Sequence, residues 1–545
     1  MKRLVVHAVI AATPVVALAL ATPAPRLLAA PPLAAPASSA CEGLSGLKIA
    51  NTTIVSATAE PAGTFTPPGA AAAGGRGGRG MAGMPAFCRI AAVAKPTPTS
   101  NIQFEVWMPA DGWNGKLQVV GNGGLAGTIG YAAMATALRA GFATASTDTG
   151  HTSSEPPTWM ADRERLIDYS YRGLHLTTVD AKSLVQSYYT AQAKQSYYTG
   201  CSTGGKQGLM EAQRYPADFD GILAGDAANN WTHQMASEVW NGVATSTPET
   251  NLSREKLQLI ENATVKACDL LDGAADGLVS DPMHCKFDPA TLACPAGAAD
   301  GPSCLTAPQV AAVKKLYGGV TDQRGKKLYP GFWPGGEMGW AANTVINKTT
   351  KSGVSSYDFW GNAFFHDPTW AFPKFDFDQN IDRADSLLAP ITNATDPNID
   401  EFRKLGHKMI YYHGAADPLI PAQNGIDYYE SVVKAQKGMD KTQEFYRAFL
   451  VPGLYHCSGG PGPIAFNGNA PMGQRDADHD ALLALERWVE QGKAPAQIIG
   501  TKYVDGDATK GVAFQRPLCA YPGVAKYKGT GDMKDAANFS CAVPK

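Results

Sequence analysis

No block of five or six like charges occurs in the 545 residues, and 47 Lys+Arg against 49 Asp+Glu leave a formal charge of −2. A protein held mainly by phosphate contacts normally carries a basic excess, so nucleic acid is disfavoured as a partner. No C-x-x-C pair is present, which argues against a zinc site built on cysteine. Beyond the N-terminus no run of 18 uninterrupted apolar residues occurs, so the mature chain is expected to be soluble, without stable membrane insertion. No internal repeat is visible either. What is present is 44% hydrophobic residues, enough for a sizeable core, which excludes wholesale disorder. The 57 glycines and 38 prolines point to many loops around a rigid scaffold.

Met1-Lys2-Arg3 is a basic start, and Leu4 to Ala21 is almost wholly apolar with small residues at its end. Residues 1–21 therefore read as a secretory signal peptide. His7 and Pro14 weigh against an uncleaved anchor. Residues 22–40 are Ala/Pro-rich, so cleavage could fall as late as 40. Secretion or periplasmic export is expected, and ten cysteines in an exported chain suggest disulfides. Spacing favours three local bridges, Cys268–Cys285, Cys294–Cys304 and Cys519–Cys541. Residues 61–84 are low complexity with an RGG-like run, read as a mobile surface loop, with order returning near Phe87.

From there strands alternate with helices. Strand readings fall at 116–120, 142–146, 196–199, 219–223, 408–412 and 445–451, and helix readings at 178–189, 204–215 and 480–491. Such alternation indicates a parallel α/β sheet. Residues 229–394, rich in Trp, Asn, Pro and Gly, break the rhythm. They read as a subdomain inserted between two core halves, 41–228 and 395–545.

Gly200-Cys201-Ser202-Thr203-Gly204 fits G-x-S-x-G with a strand before and a helix after. That context sets a serine hydroxyl on a sharp, strained turn, so Ser202 is the candidate nucleophile. A serine needs a base, and the base an orienting acid, in the chain order Ser, acid, His for this kind of fold. Among the histidines of the second core half, His456 lies in a glycine-flanked loop right after a strand. His407, His413 and His479 read as structural. Asp417 follows the strand at 408–412, with Pro418 stiffening its loop. Cys201 precedes the serine and Cys457 follows the histidine. If Ser202 and His456 are within hydrogen-bond reach, their neighbours could lie within the ~5–6 Å a disulfide needs.

These Cys-Ser, Asp and His-Cys elements resemble the tannase and feruloyl esterase family of α/β-hydrolases. So do Trp113-Asn114-Gly115, Gly121-Asn122-Gly123-Gly124, Ser146 to His151 and Glu211 to Pro216. The resemblance covers about residues 41–545. It implies an α/β-hydrolase core with a large lid and secreted esterases of aromatic acids. It also implies the pairing Cys41–Cys88, Cys201–Cys457, Cys268–Cys285, Cys294–Cys304 and Cys519–Cys541. For the oxyanion, Thr203 N–H is the first expected donor; the glycine loop supplies the second, with Gly124 favoured and Gly123 close behind.

Cys268 to Val279 places Asp269, Asp272 and Asp276 among turn-forming glycines, oxygen ligands of the kind a hard cation takes. The spacing is not that of an EF-hand, but it matches the family's lid calcium site. By position, the ligands implied are the side chains of Asp269, Asp272 and Asp276 and the carbonyls of Ala274 and Leu278. A structural Ca²⁺ is expected.

Trp360 to Trp370 resembles the family's aromatic lid stretch, and its rings could stack on an aromatic acyl group or simply form lid core. Family members that hydrolyse the terephthalate monoester carry a glutamate after the nucleophile and a lid arginine. Here Thr203 takes the first position, and 358–378 holds no arginine. Feruloyl or related hydroxycinnamoyl esters, as small molecules or on plant polymers, are the first expectation, and galloyl esters the second. The rivals are a peptidase on the same residues and a calcium-stabilised extracellular binding protein with an inactive site.

Overall fold

The structure is a computed structural model that describes residues 38–68, 81–343, 355–467 and 475–544. Residues 1–21, read above as a signal peptide, lie outside the described residues. Nine strands form one sheet: β1 (Thr52–Glu60), β2 (Phe87–Ala94), β3 (Ile102–Pro109), β4 (Lys116–Val120), β5 (Ala143–Thr147), β6 (Gln195–Cys201), β7 (Gly221–Gly225), β8 (Lys408–Gly414) and β9 (Tyr446–Val451). Their spatial order is β1-β2-β3-β5-β4-β6-β7-β8-β9. The first three pair antiparallel, and from β5 to β9 every pairing is parallel.

The parallel strands are buried on both faces, so they read as near-continuous apolar runs. Successive residues still divide between the faces. Tyr198, Met409 and Tyr411 pack in one core with Leu184, Val185 and Leu209. Tyr197, Ile410 and Tyr412 pack in the other with Phe142, Leu485 and Trp488. The first face is covered by helices α1 (Gly173–Tyr189) and α2 (Thr203–Arg214), the second by α4 (Ala481–Gln491). Asp480 opens α4 by accepting the Leu482 and Leu483 N–H groups, and Gly492 ends it at φ +70°.

The expectation for residues 61–84 needs correction. β1 lies wholly before Phe87, and Gly63–Phe65 pairs with Met81–Met84 in a hairpin. Phe65 and Met84 are buried against Phe87 and Trp107. The apolar residues flanking the low-complexity run therefore anchor it; residues 69–80 are outside the described set.

Between Gly225 and Lys408 the chain leaves the sheet. It begins with helix α3 (Trp231–Thr245) and includes helices Arg254–Cys268 and Ala307–Gly318. One apolar cluster joins Val239, Phe359, Trp360 and Phe375 to Trp159 and Tyr169 of the core region. A second gathers Leu257, Ile260, Val313, Leu316 and Trp340. After α4, hairpin Gln497–Tyr503/Val512–Cys519 and hairpin Val524–Tyr527/Phe539–Ala542 close the chain.

Candidate active site

β6 ends at the sharp turn that the glycines foretell. Ser202 sits at φ 65°, ψ −121°, a conformation few non-glycine residues adopt. Its N–H donates to Gly225 O at 3.0 Å, which ties the turn to β7. The glycines are required by close approach. A Cβ on Gly205 would lie 2.1 Å from Gly225 O, and one on Gly200 2.7 Å from the Gly204 backbone.

The tips of β8 and β9 bring the other two side chains. Asp417 Oδ1 accepts the N–H groups of Leu419 (2.8 Å) and Ile420 (3.0 Å), leaving Oδ2 for His456 Nδ1 at 2.7 Å. His456 Nε2 stands 2.8 Å from Ser202 Oγ. With Asp417 accepting at Nδ1, the neutral ring keeps its proton there and offers the Nε2 lone pair to the serine. Burial alone would lower the His456 pKa. Asp417 reverses this by charge and hydrogen bond, with Asp226 and Glu238 adding to it, and the group is raised to about 9. For Asp417 burial pulls upward, but the charge and hydrogen bonds of His456 and His413 win and hold it well below the usual carboxylate range.

Thr203 starts α2, so its N–H has no carbonyl one turn back to bond. Its hydroxyl donates to Gly124 O at 2.5 Å, and the Tyr169 hydroxyl donates to the same oxygen at 3.2 Å. Gly123 O is taken by Ala126 N–H at 3.0 Å, which turns the Gly124 N–H of that peptide the opposite way. Gly123, Gly124, Ser202 and His456 line one cavity of about 460 Å³.

All ten cysteines are bridged, as Cys41–Cys88, Cys201–Cys457, Cys268–Cys285, Cys294–Cys304 and Cys519–Cys541. The Cα separation of Cys201 and Cys457 is 5.9 Å, directly beside the serine and histidine.

The architecture is shared with known proteins. The family model described as "Tannase and feruloyl esterase" matches residues 88–542. The chain belongs to the tannase and feruloyl esterase family. An uncharacterized esterase of Xanthomonas campestris pv. campestris is 38% identical, over 93% of this chain and 92% of that protein. A protein of Aspergillus clavatus named "Probable feruloyl esterase B" is 34% identical, over 83% of this chain and 86% of its own. Among solved structures, feruloyl esterase B from Aspergillus oryzae superposes with a TM-score of 0.86 at 29% identity, covering 93% of this chain and all of that one. Tannin acyl hydrolase from Aspergillus niger, 20% identical, shares the fold with a TM-score of 0.72, covering 93% of this chain and 94% of its own. The fold is thus that of an α/β-hydrolase, and this member of the family is a carboxylic ester hydrolase.

The aromatic stretch is packed inward: Trp360, Phe364 and Trp370 are buried, and Phe365 stacks on Trp370 at 5.2 Å. Arg383, just beyond residues 358–378, lies 5.4 Å over the Phe364 ring. In the acidic loop, Asp269 Oδ1 accepts the N–H groups of Asp276, Gly277 and Leu278, and Asp272 Oδ1 that of Ala274. Asp272 Oδ2 is buried beside the Ser280 hydroxyl, and Arg516 pairs with Asp276. Burial raises the pKa of both Asp269 and Asp272. Carboxylate oxygens of this kind suit a hard cation, but among the described residues Asp269, Asp272 and Asp276 do not bring one oxygen each within 4.8 Å of one another.

Sequence reasoning missed Asp226, at φ 40° just past β7, and the closeness of His413 to Asp417. Neither sits in a recognisable motif; both come together only when three strand tips meet.

Proposed function

We propose that this protein is an exported serine esterase that hydrolyses aromatic, feruloyl-type carboxylic esters through Ser202, His456 and Asp417. The hydrogen-bond chain of 2.8 Å and 2.7 Å on a strained strand-to-helix turn carries the reading. His456 Nε2 takes the Ser202 proton as Oγ attacks the ester carbonyl. Asp417 holds the ring and balances its positive charge, while the N–H groups of Thr203 and Gly124 receive the oxyanion. The alcohol leaves with the proton from Nε2, and water, deprotonated in turn by His456, frees the acid from Ser202. Five disulfides support an oxidising compartment, and so export through the segment 1–21. No helix among the described residues is long and apolar enough to cross a membrane.

The relatives named for feruloyl esters are nearer than the tannin acyl hydrolase, which favours hydroxycinnamoyl over galloyl substrates. The Thr203 side chain, engaged with Gly124 O, supplies no acidic group where terephthalate monoester hydrolases have one. Methyl ferulate, methyl gallate and mono(2-hydroxyethyl) terephthalate, assayed side by side, should rank in that order of kcat/KM. Preference for the gallate would replace the acyl assignment. Silence on all three despite phosphonate labelling of Ser202 would keep the hydrolase and remove the aromatic ester. Failure of labelling as well would favour an inactive binding protein.

Calcium would be held by Asp269, Asp272, Asp276 and the carbonyls of Ala274 and Leu278, and its contribution would be to fold stability. At a free concentration a hundred times Kd, binding stabilises by about 2.7 kcal/mol. Chelation should therefore lower the melting temperature by a few degrees, and readdition of Ca²⁺ should restore it. Asp272→Asn should abolish that response. An identical melt with and without chelator would remove the metal.

A further inference from the structure

Behind the serine, histidine and aspartate stands a second acid–histidine pair. The Asp226 side chain is fully buried, and each of its oxygens receives a backbone N–H. Oδ1 accepts from Gly414 at 2.6 Å and Oδ2 from Cys457 at 2.9 Å. Gly414 ends β8 just before the loop of Asp417, and Cys457 directly follows His456. Its own N–H donates to Tyr412 O at 2.9 Å, so this one residue ties together the tips of β7, β8 and β9. His413, also fully buried, is hydrogen-bonded to the Tyr411 hydroxyl through Nδ1 (2.5 Å) and donates from Nε2 to Ile420 O (2.9 Å). The same Nε2 lies 3.4 Å from Asp417 Oδ2 and 3.8 Å from Asp226 Oδ1.

We propose that Asp226 and His413 are positioning residues for ester hydrolysis, a buried pair that fixes both reacting loops and sets the charge against which His456 takes the serine proton. The inference rests on the reading of Ser202, His456 and Asp417 given above. His456 is faced by Asp417 from the β8 loop, Asp226 from β7 and Glu238 from α3. Asp226 is faced by His413, Asp417 and His456. Burial lifts Asp226 to about 6, while His413, which burial would lower, is raised overall by Asp417 and Asp226. Asp226 thus bears on the His456 charge directly, while His413 pairs with Asp417 and acts one step removed.

The acid limb of kcat/KM against pH reports the base of the free enzyme. Asp226→Asn removes a negative charge and one acceptor. Its limb should move to lower pH by about half a unit or more, with kcat reduced at least tenfold. His413→Gln keeps a donor toward Ile420 O but removes the ionisable ring. Its limb should move the other way, to higher pH. Opposite displacements support the pair; a loss of stability or kcat with both limbs unmoved overturns it. If Asp226→Asn does not fold, the direction seen in His413→Gln decides alone. Ser202→Ala separates the two levels: activity surviving in that variant overturns the nucleophile reading and this inference with it. If no ester is turned over, the pH dependence of phosphonate labelling of Ser202 gives the same limb.

Discussion

Ser202→Ala should lower kcat on methyl ferulate by about 10⁶-fold, with KM changed little. Removing the nucleophile of such a constellation costs about as much as removing the whole of it. The remaining rate would come from the oxyanion donors and substrate binding. Ser202 is a partly exposed residue on the cavity wall, and the alanine deletes one hydroxyl. The variant should therefore fold and melt like the parent, which separates a chemical effect from a structural one. Asp417→Asn should cost about 10⁴-fold in kcat, because an amide does not hold the Nδ1–H tautomer. Steady-state kinetics on both variants, with circular dichroism as the folding control, test this. An alanine variant retaining even a hundredth of the parent rate would exclude Ser202 as nucleophile.

The second large effect concerns stability. Cys201→Ala together with Cys457→Ala opens a loop closed across 256 residues. The chain-entropy treatment puts such a bridge at roughly 5 kcal/mol, an upper figure because native strain and residual structure in the unfolded chain reduce it. The melting temperature should fall by several degrees. Because the bridge sits one residue from both Ser202 and His456, kcat should fall more than KM rises. A differential scanning melt and kinetics on the same preparation check both halves. An unchanged melt would show that burial around the strand tips, not the covalent link, sets their separation.

The parallel core was legible because strands buried on both faces announce themselves as short apolar runs between glycines. The serine turn was legible because its glycines answer a local steric demand. The histidine and acid followed from chain order and from the loops that leave the strands before them. β1 was not legible: Thr52 to Glu60 has only half-buried and exposed positions, and its pairing depends on β2. Asp226 was hidden because its partners, Gly414 and Cys457, lie 188 and 231 residues away. The aromatic stretch was ambiguous for another reason. Rings that pack on one another and rings that wait for a ligand have the same composition, and only burial tells them apart.

Four of the five disulfides join cysteines that are consecutive along the chain. Cys201–Cys457 encloses two of them, Cys268–Cys285 and Cys294–Cys304. A chain threaded N-terminus first into an oxidising compartment presents Cys201 long before its partner. Four other thiols arrive in the interval, and exchange joins whichever sulfurs meet first. Oxidant alone therefore makes the peripheral links readily and the central one poorly. Supplying a disulfide isomerase during production should therefore raise the yield of protein that carries the Cys201–Cys457 link.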